Sequence, residues 1–413
     1  MKQKKLMLLG GIRYLLPVIE TAHRLGAYVI TADYLPDNVA HRYSDEYVNV
    51  SIIDRDAVLK VAREKRIDGI MSFGVDPGVV TAAYVAEKMG LPSPPLKSVE
   101  ILQNKDKFRD FLAANGFNCP WHRGYASKEE ALKDFSRVER VDRVDNTRGM
   151  RFPVIVKPVD SAGSKGCTRV DSLAGLPGAI DCALAESHSG RFIIEQFLEL
   201  AGHQTGSDSF SIDNELVFCS FDSQYFDVNS PNPYTPTAHI WPSDMPVEAQ
   251  RELRDEIQRL IHLLNLGTSI YNIEARVASD GKPYIMEVSP RGGGNRLSEV
   301  LKLATGQDLI ENNVRMALDL PLLPLSQPGY DGAWVDFVVH SNQTGKFTSV
   351  QLDQSIQDSH VQEVRMYVNH GDGIGSFSGA NCAIGTIFLK FESYVDAEQA
   401  VKNASAWCKV TIA

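Results

Sequence analysis

Residues 271–287 read YNIEARVASDGKPYIME: two apolar runs, Tyr271 to Glu274 and Tyr284 to Glu287, separated by Ser279-Asp280-Gly281-Lys282. Asp-Gly between such runs is hairpin chemistry, because glycine accepts the positive φ that a tight turn needs. An antiparallel hairpin of this length sets Glu274 and Glu287 side by side on one face. Two carboxylates so placed repel each other unless a cation joins them. Magnesium fits, since it takes oxygen ligands and shares them with nucleotide phosphates. Calcium lacks a loop donor series here, and a solvated hairpin face is the plain alternative.

The chain continues from the second acid as Glu287-Val288-Ser289-Pro290-Arg291-Gly292-Gly293-Gly294-Asn295-Arg296. Arg291 suits bidentate contact with a carboxylate or phosphate, and the glycines let backbone approach a ligand. Upstream, Phe152 to Pro158 is an apolar strand with Lys157 near its end. Ser161-Ala162-Gly163-Ser164-Lys165-Gly166 follows, a run of small residues whose N–H groups can close over phosphate oxygens. A lysine snorkelling from a strand end competes with that reading. Phe192 to Glu199 is a further apolar strand running into a hinge-like segment, where backbone could pair with an adenine edge.

Further outward, the first ninety residues alternate strand and helix. Strands are expected at Lys5 to Leu9, Ala27 to Ala32, Tyr47 to Val50 and Gly69 to Phe73, with helices between. The helix ending near Met89 should have Asp76 as N-cap and Pro77 at its first position. This is the rhythm of an open parallel sheet. Gly10-Gly11 followed by Asp33 resembles a dinucleotide fingerprint only weakly, because the full G-x-G-x-x-G is absent: Gly11 is followed by Ile12, Arg13 and Tyr14. Leu91-Pro92-Ser93-Pro94-Pro95 punctuates the chain. Helices are expected at Lys97 to Leu102 and Lys105 to Asn115, and a charged, solvated excursion over 135–150. Near the C-terminus, strands are expected at Trp334 to His340, Val361 to Val368 and Ile384 to Phe391, then a helix from Asp396 to Ala406.

Composition bounds the rest. With 413 residues, 43% hydrophobic and 23% charged, the chain reads as an ordinary globular protein of several domains. A net charge of -10 argues against sequence-independent nucleic-acid or anionic-membrane binding. The six cysteines form no C-x-x-C pair and read as reduced thiols, with a cytoplasmic location expected. Arg13 interrupts the N-terminal apolar run, so a signal peptide is not expected.

The order of these pieces resembles the ATP-grasp superfamily over about residues 1 to 320, closest to carboxylate–amine ligases of the amino-acid ligase kind, with biotin-carboxylase-like enzymes further away. The resemblance implies an α/β and α+β multidomain protein. A Rossmann-like domain would span 1–95, and an ATP-grasp domain 96–320 with nucleotide between subdomains 96–197 and 198–320. An α+β domain would span 321–413. Lys105 and Lys157 would bind ATP phosphates beneath the Ser161, Gly163, Ser164, Lys165 and Gly166 loop. Glu195, Gln196, Phe197 and Leu198 would hold adenine, with His203 near the ribose. Glu274 and Glu287 would hold Mg²⁺, for which Mn²⁺ can substitute. Arg291 would steady the transferring phosphoryl group or the acyl phosphate. Ser289 stands where the family usually has a metal-ligating Asn, which puts a second metal site in doubt. Ala238-His239-Ile240-Trp241-Pro242-Ser243 resembles a G-H-x-x-P-S run that lies near substrate, and Gly293 and Arg296 are further substrate candidates. The implied partners are a small-molecule carboxylate and amine, with no nucleic acid or membrane; a homodimer is compatible. Other readings stay open on the residues: a bicarbonate-using carboxylase, a nucleotide-binding module without ligase activity, and an NAD-dependent oxidoreductase on the first sheet.

Overall fold

The computed structural model describes residues 3–139, 151–161 and 163–413, and no side chain at 137–139. Most of the charged excursion expected over 135–150 therefore lies outside the described residues, as does Ala162. Among the described residues, no helix is long and apolar enough to cross a membrane.

The N-terminal strands form a parallel sheet in the order Glu46–Asn49, Tyr28–Asp33, Lys5–Leu9, Gly69–Ser72. Helices cover both faces, which is why Leu6 to Leu9 form an unbroken buried apolar run instead of alternating. One expectation needs correction here. Asp76 does not cap a helix: it opens a short 3-10 turn, Asp76–Gly78, and Gly78 precedes the helix Val79–Met89 without a side-chain cap. Its carboxylate is drawn away by an arginine more than two hundred residues on.

Two antiparallel sheets follow. The first runs His122–Tyr125, Phe192–Gln196, Val154–Pro158, Thr168–Val170. The helix Leu176–Glu186 packs on it through Leu176, Ala179, Ile180 and Ala183. The second runs Glu215–Cys219, Thr205–Ile212, Ser269–Val277, Pro283–Ser289. The amphipathic helix Val247–Leu264 buries Leu253, Ile257, Leu260 and Ile261 against it. Phe108 and Leu112 of the helix Lys105–Ala114 join the same core, so that helix spans the two sheets.

A five-stranded antiparallel sheet completes the larger elements, in the order Ser223–Phe226, Pro236–Trp241, Ala333–Val339, Gly385–Phe391, Val361–Met366. Its first two strands precede residue 320, so a hydrogen-bonded sheet crosses the boundary expected there. The strands Gly345–Leu352 and Cys408–Ile412, which pair with each other, were not expected. Their burial is only partial; Cys408–Ile412 alternates apolar and polar residues over just five positions, too short a run to stand out.

Candidate active site

The acid hairpin is longer than its sequence signal, Ser269–Val277 against Pro283–Ser289, and Glu274 sits directly opposite Glu287. A bulge follows Glu274 and locally breaks the ladder. Burial pushes the Glu274 carboxyl up and the facing Glu287 pushes it further, to about 7, against the pull of Arg276, Lys105 and Lys157. A divalent cation between the two acids would remove that cost, so the pair fits a metal by charge and by donor type. Among the described residues no third acid, histidine or cysteine completes a metal cluster. The other ligands of such an ion would be phosphate oxygens or water.

Two lysines converge on the acids. Lys105 opens the helix Lys105–Ala114, whose N-cap Asn104 accepts from the Lys107 N–H. Its ammonium lies 3.7 Å from Glu287 and donates to the Ser161 carbonyl at 2.8 Å. Burial works against its charge, but Glu287 together with Cys167, Asp76 and Glu274 leaves its pKa raised, so it stays cationic. Lys157 projects from Val154–Pro158, where alternate residues face the cleft.

Lys157 is braced from beneath. Its ammonium donates to Glu195 Oε2 at 2.8 Å, while Arg109 Nε lies 2.9 Å from Glu195 Oε1. Glu195 and Arg109 are 0% and 2% exposed. Burial alone would push the Glu195 carboxyl up, but Arg109 and Lys157 together hold it at about 2. The Glu195 carboxylate is thus turned to Lys157 and Arg109, and contact with an adenine from this segment would fall to its backbone. Of the backbone expected beside adenine, the Gln196 N–H donates to Trp121 and the Phe197 N–H to Pro153. The Phe197 ring lies under the Arg169 guanidinium, 4.4 Å from it. Leu198 follows, partly buried.

The small-residue loop joins Val154–Pro158 to Thr168–Val170, two paired strands. Gly163, Ser164 and Gly166 all have positive φ, and Lys165 is exposed. A side chain at Gly166 would also lie 3.0 Å from the Cys182 carbonyl. His203 stands apart from this group, its Nδ1 3.0 Å from Asp244 and its ring over Tyr225.

Arg291 is fixed rather than free. Its Nε and Nη2 donate to the two oxygens of Asp76 at 2.8 and 2.7 Å, and Nη1 donates to the Gly292 carbonyl. Ser289 also donates to Asp76, at 2.9 Å, and accepts from Gln103. It is almost wholly buried, so its hydroxyl is committed to the arginine's anchor and not presented beside Glu287. Gly293 donates its N–H to Asp208 at 2.8 Å, and Asn272 and Ser298 donate to the same carboxylate. A Cβ at Gly293 would lie 2.8 Å from Asn272 Nδ2, so only glycine allows this approach. Arg296 pairs with Glu299 and Glu363, and His239 with Asp222. The bracing roles of Asp76, Arg109 and Asp208 escape sequence reading. Asp76 carried a local cap signal that pointed to a different role, and Arg109 lies one helical turn beyond Lys105 on the same face.

Residues 150–299 match the family model of the ATP-grasp domain. The chain is 25% identical over 365 residues to a formate-dependent phosphoribosylglycinamide formyltransferase from Parasynechococcus marenigrum (strain WH8102), covering 87% of each chain. Among solved structures, the L-amino acid ligase from Bacillus licheniformis superposes with a TM-score of 0.78 at 21% identity, over 100% of both chains. The phosphoribosylglycinamide synthetase from Anaerococcus prevotii gives 0.76 at 20% identity, also over 100% of both. At these identities the solved structures establish the shared fold.

Proposed function

This chain carries an ATP-grasp domain, and from that premise we propose that it is an ADP-forming carboxylate–amine ligase. The reading rests foremost on one observation: Glu274 and Glu287 face each other across the hairpin, with the Lys105 ammonium 3.7 Å from the second acid. A module that merely bound nucleotide would have no physical need for two facing acids, one of them driven to about 7. Among the relatives named above are a formate-dependent formyltransferase and an L-amino acid ligase, names that support the same chemistry here.

A carboxylate is a poor electrophile because its charge is shared by two oxygens and neither leaves readily. Transfer of the γ-phosphoryl group to one oxygen makes a leaving group. Lys157, oriented by Glu195, and Lys105, oriented by the Ser161 carbonyl, would hold the phosphates. Mg²⁺ on Glu274 and Glu287, when bound, supplies charge neutralisation as the phosphoryl group moves. Arg291, held by Asp76 and the Gly292 carbonyl, would keep the glycine run in place and add fixed positive charge beside Glu287. The loop through Gly163, Ser164 and Gly166 would cover the phosphates and shield an acyl phosphate from water. The amine then attacks the acyl carbon and phosphate departs.

The test is an ADP-release screen over pairs of small carboxylates and amines, with bicarbonate included. The products should be ADP and phosphate. One ¹⁸O from a labelled carboxylate should appear in phosphate, and hydroxylamine in place of the amine should give a hydroxamate. AMP formation, or phosphate without label, overturns the reading; turnover dependent on bicarbonate redirects it to a carboxylase.

A further inference from the structure

Asp336 occupies the middle of the strand Ala333–Val339, in which every residue is buried, and it is itself 0% exposed. Neither of its oxygens meets a protein hydrogen-bond partner. His239 sits directly opposite it in Pro236–Trp241, so the two side chains share one face of the sheet. The His239 Nδ1 lies 2.5 Å from Asp222, which also accepts from Thr205 Oγ1 at 2.7 Å and the Gly206 N–H at 2.6 Å. That fixed carboxylate sets the ring's orientation, and the buried Nε2 has no protein partner either. Leaving a buried polar group unpaired costs about 1–3 kcal/mol, and more for a charged one. Here three such atoms stand on adjacent strands.

The face that bears them is the one turned toward the acid hairpin. Gln224, opposite His239 on the next strand, reaches across to Gly206, where a Cβ would lie 1.9 Å from its Nε2. Gly206 in turn is the cross-strand neighbour of Glu274. A row of polar groups thus leads from Glu287 through Glu274, Gln224 and His239 to Asp336. On the far side of Asp336, the Arg296 guanidinium lies over Phe388, 4.2 Å from its ring, and donates to Thr386. It is already paired with Glu299 and Glu363.

We propose that Asp336 and His239 form the seat of the amine substrate, with Asp336 pairing to its ammonium group and accepting its proton. The proposal rests on the ligase reading above and names the second substrate's subsite. An amine arrives protonated and cannot attack in that form. Asp336 takes one proton and becomes a neutral acid, freeing the nitrogen lone pair. The C–N bond forms at the acyl carbon, the C–O bond to phosphate breaks, and the second amine proton leaves on the phosphate. Asp336 then returns its proton to solvent.

The surroundings suit this exchange. The charged groups nearest Asp336 are His239, Arg296, Glu299 and Asp222, with the phenols of Tyr14 and Tyr367 also close by. Burial pushes the carboxyl up to about 7 against the pull of His239 and Arg296, so both protonation states are accessible near neutrality.

The test compares hydroxylamine and methylamine as nucleophiles at about pH 8, where the first is neutral and the second a cation, with a carboxylate that supports ADP release. Asp336→Asn should form hydroxamate within about threefold of wild type, while methylamine coupling falls at least about thirtyfold through a raised amine KM. His239→Gln should shift the same ratio in the same direction, and it stands in if Asp336→Asn does not fold. Equal methylamine coupling by wild type and variants overturns the proposal. So does a parallel loss of hydroxamate and methylamine product, which would make the pair a structural element. If wild type forms no hydroxamate at all, the ligase reading has failed and this subsite falls with it.

Discussion

Glu195 and Asp336 are both fully buried carboxylates, on two different antiparallel sheets, yet their surroundings treat them in opposite ways. Glu195 is gripped by Arg109 and Lys157 and held at about 2; Asp336 faces no protein donor and is pushed up to about 7. The first carboxylate has a cation within ion-pair distance of each oxygen, although Arg109 Nε and Glu195 Oε1 make no hydrogen bond of good geometry. The second is incomplete as folded. A buried charge flanked by opposite charges reads as scaffolding, whereas one with neither ion pair nor hydrogen bond points to something that arrives later.

The sharpest way to break this comparison is to remove groups from the paired side. Glu287→Gln should lower ATP turnover on the order of hundredfold or more at saturating Mg²⁺ while the protein stays folded. Steady-state ADP release checks it, and a loss under about threefold would withdraw the acid pair from the site. Glu195→Gln should also cut turnover, but through a different route. It strands Arg109 and Lys157 as buried cations without an anion, which costs about 3–5 kcal/mol. Denaturant unfolding should show that loss; an unchanged midpoint would mean the cluster does not hold Lys157.

The unpaired side should respond with the opposite sign. Asp336→Asn removes a carboxylate whose folded pKa is raised from 3.8 to about 7. Ionisation therefore penalises the folded state, with the penalty absent below about pH 4, growing as pH rises, and complete above about pH 7. The variant should match wild type in stability at pH 4 and exceed it at pH 8 by an amount on the order of a few kcal/mol. Glu195, lowered from 4.5 to about 2, contributes stability that is present above pH 4.5 and lost as pH falls toward 2. Thermal unfolding of wild type and both variants across pH 3 to 8 separates the two carboxylates. If Asp336→Asn destabilises at pH 8, the contrast is lost.

The smallest effect concerns the loop. Amides of Gly163, Ser164 and Gly166 should exchange more slowly with a non-hydrolysable ATP analogue and Mg²⁺, by roughly tenfold, because phosphate oxygens would accept from them. Equal exchange with and without nucleotide would remove the loop from the site.

What was legible in the sequence follows from distance along the chain. The parallel sheet was readable because Leu6 to Leu9 and Tyr28 to Asp33 announce themselves locally. The acid pair was readable because Glu274 and Glu287 belong to one hairpin. Lys157 was readable at its strand end, but Arg109, which shares Glu195 with it, lies on a helix far upstream, and no periodicity connects the two. The Asp76 reading failed for the same reason. Asp-Pro before an apolar helix is a proper local cap signal, but Arg291 offers the carboxylate two charged donors, which outweigh one capping hydrogen bond. Asp336 did leave a trace, as a single acid inside Ala333 to Val339, and its meaning required seeing that nothing pairs with it. His239 was singled out through a resemblance; the carboxylate opposite it was not.

The sheet that carries those two residues also has a history in time. His239 emerges from the ribosome well before its partner strand exists. At roughly 5–20 residues per second, the roughly one hundred residues that separate it from Asp336 take on the order of ten seconds to synthesise. Throughout that interval Pro236–Trp241 has an edge without its neighbour, Ala333–Val339, and Trp241 lacks the Trp334 beside it in the finished sheet. Nascent chains stalled near residue 320 would expose that edge, and a chaperone that binds extended apolar segments would find it there. The amine seat is thus among the last parts of the molecule to be assembled, and a truncated chain could fold its phosphate-binding parts without ever acquiring it.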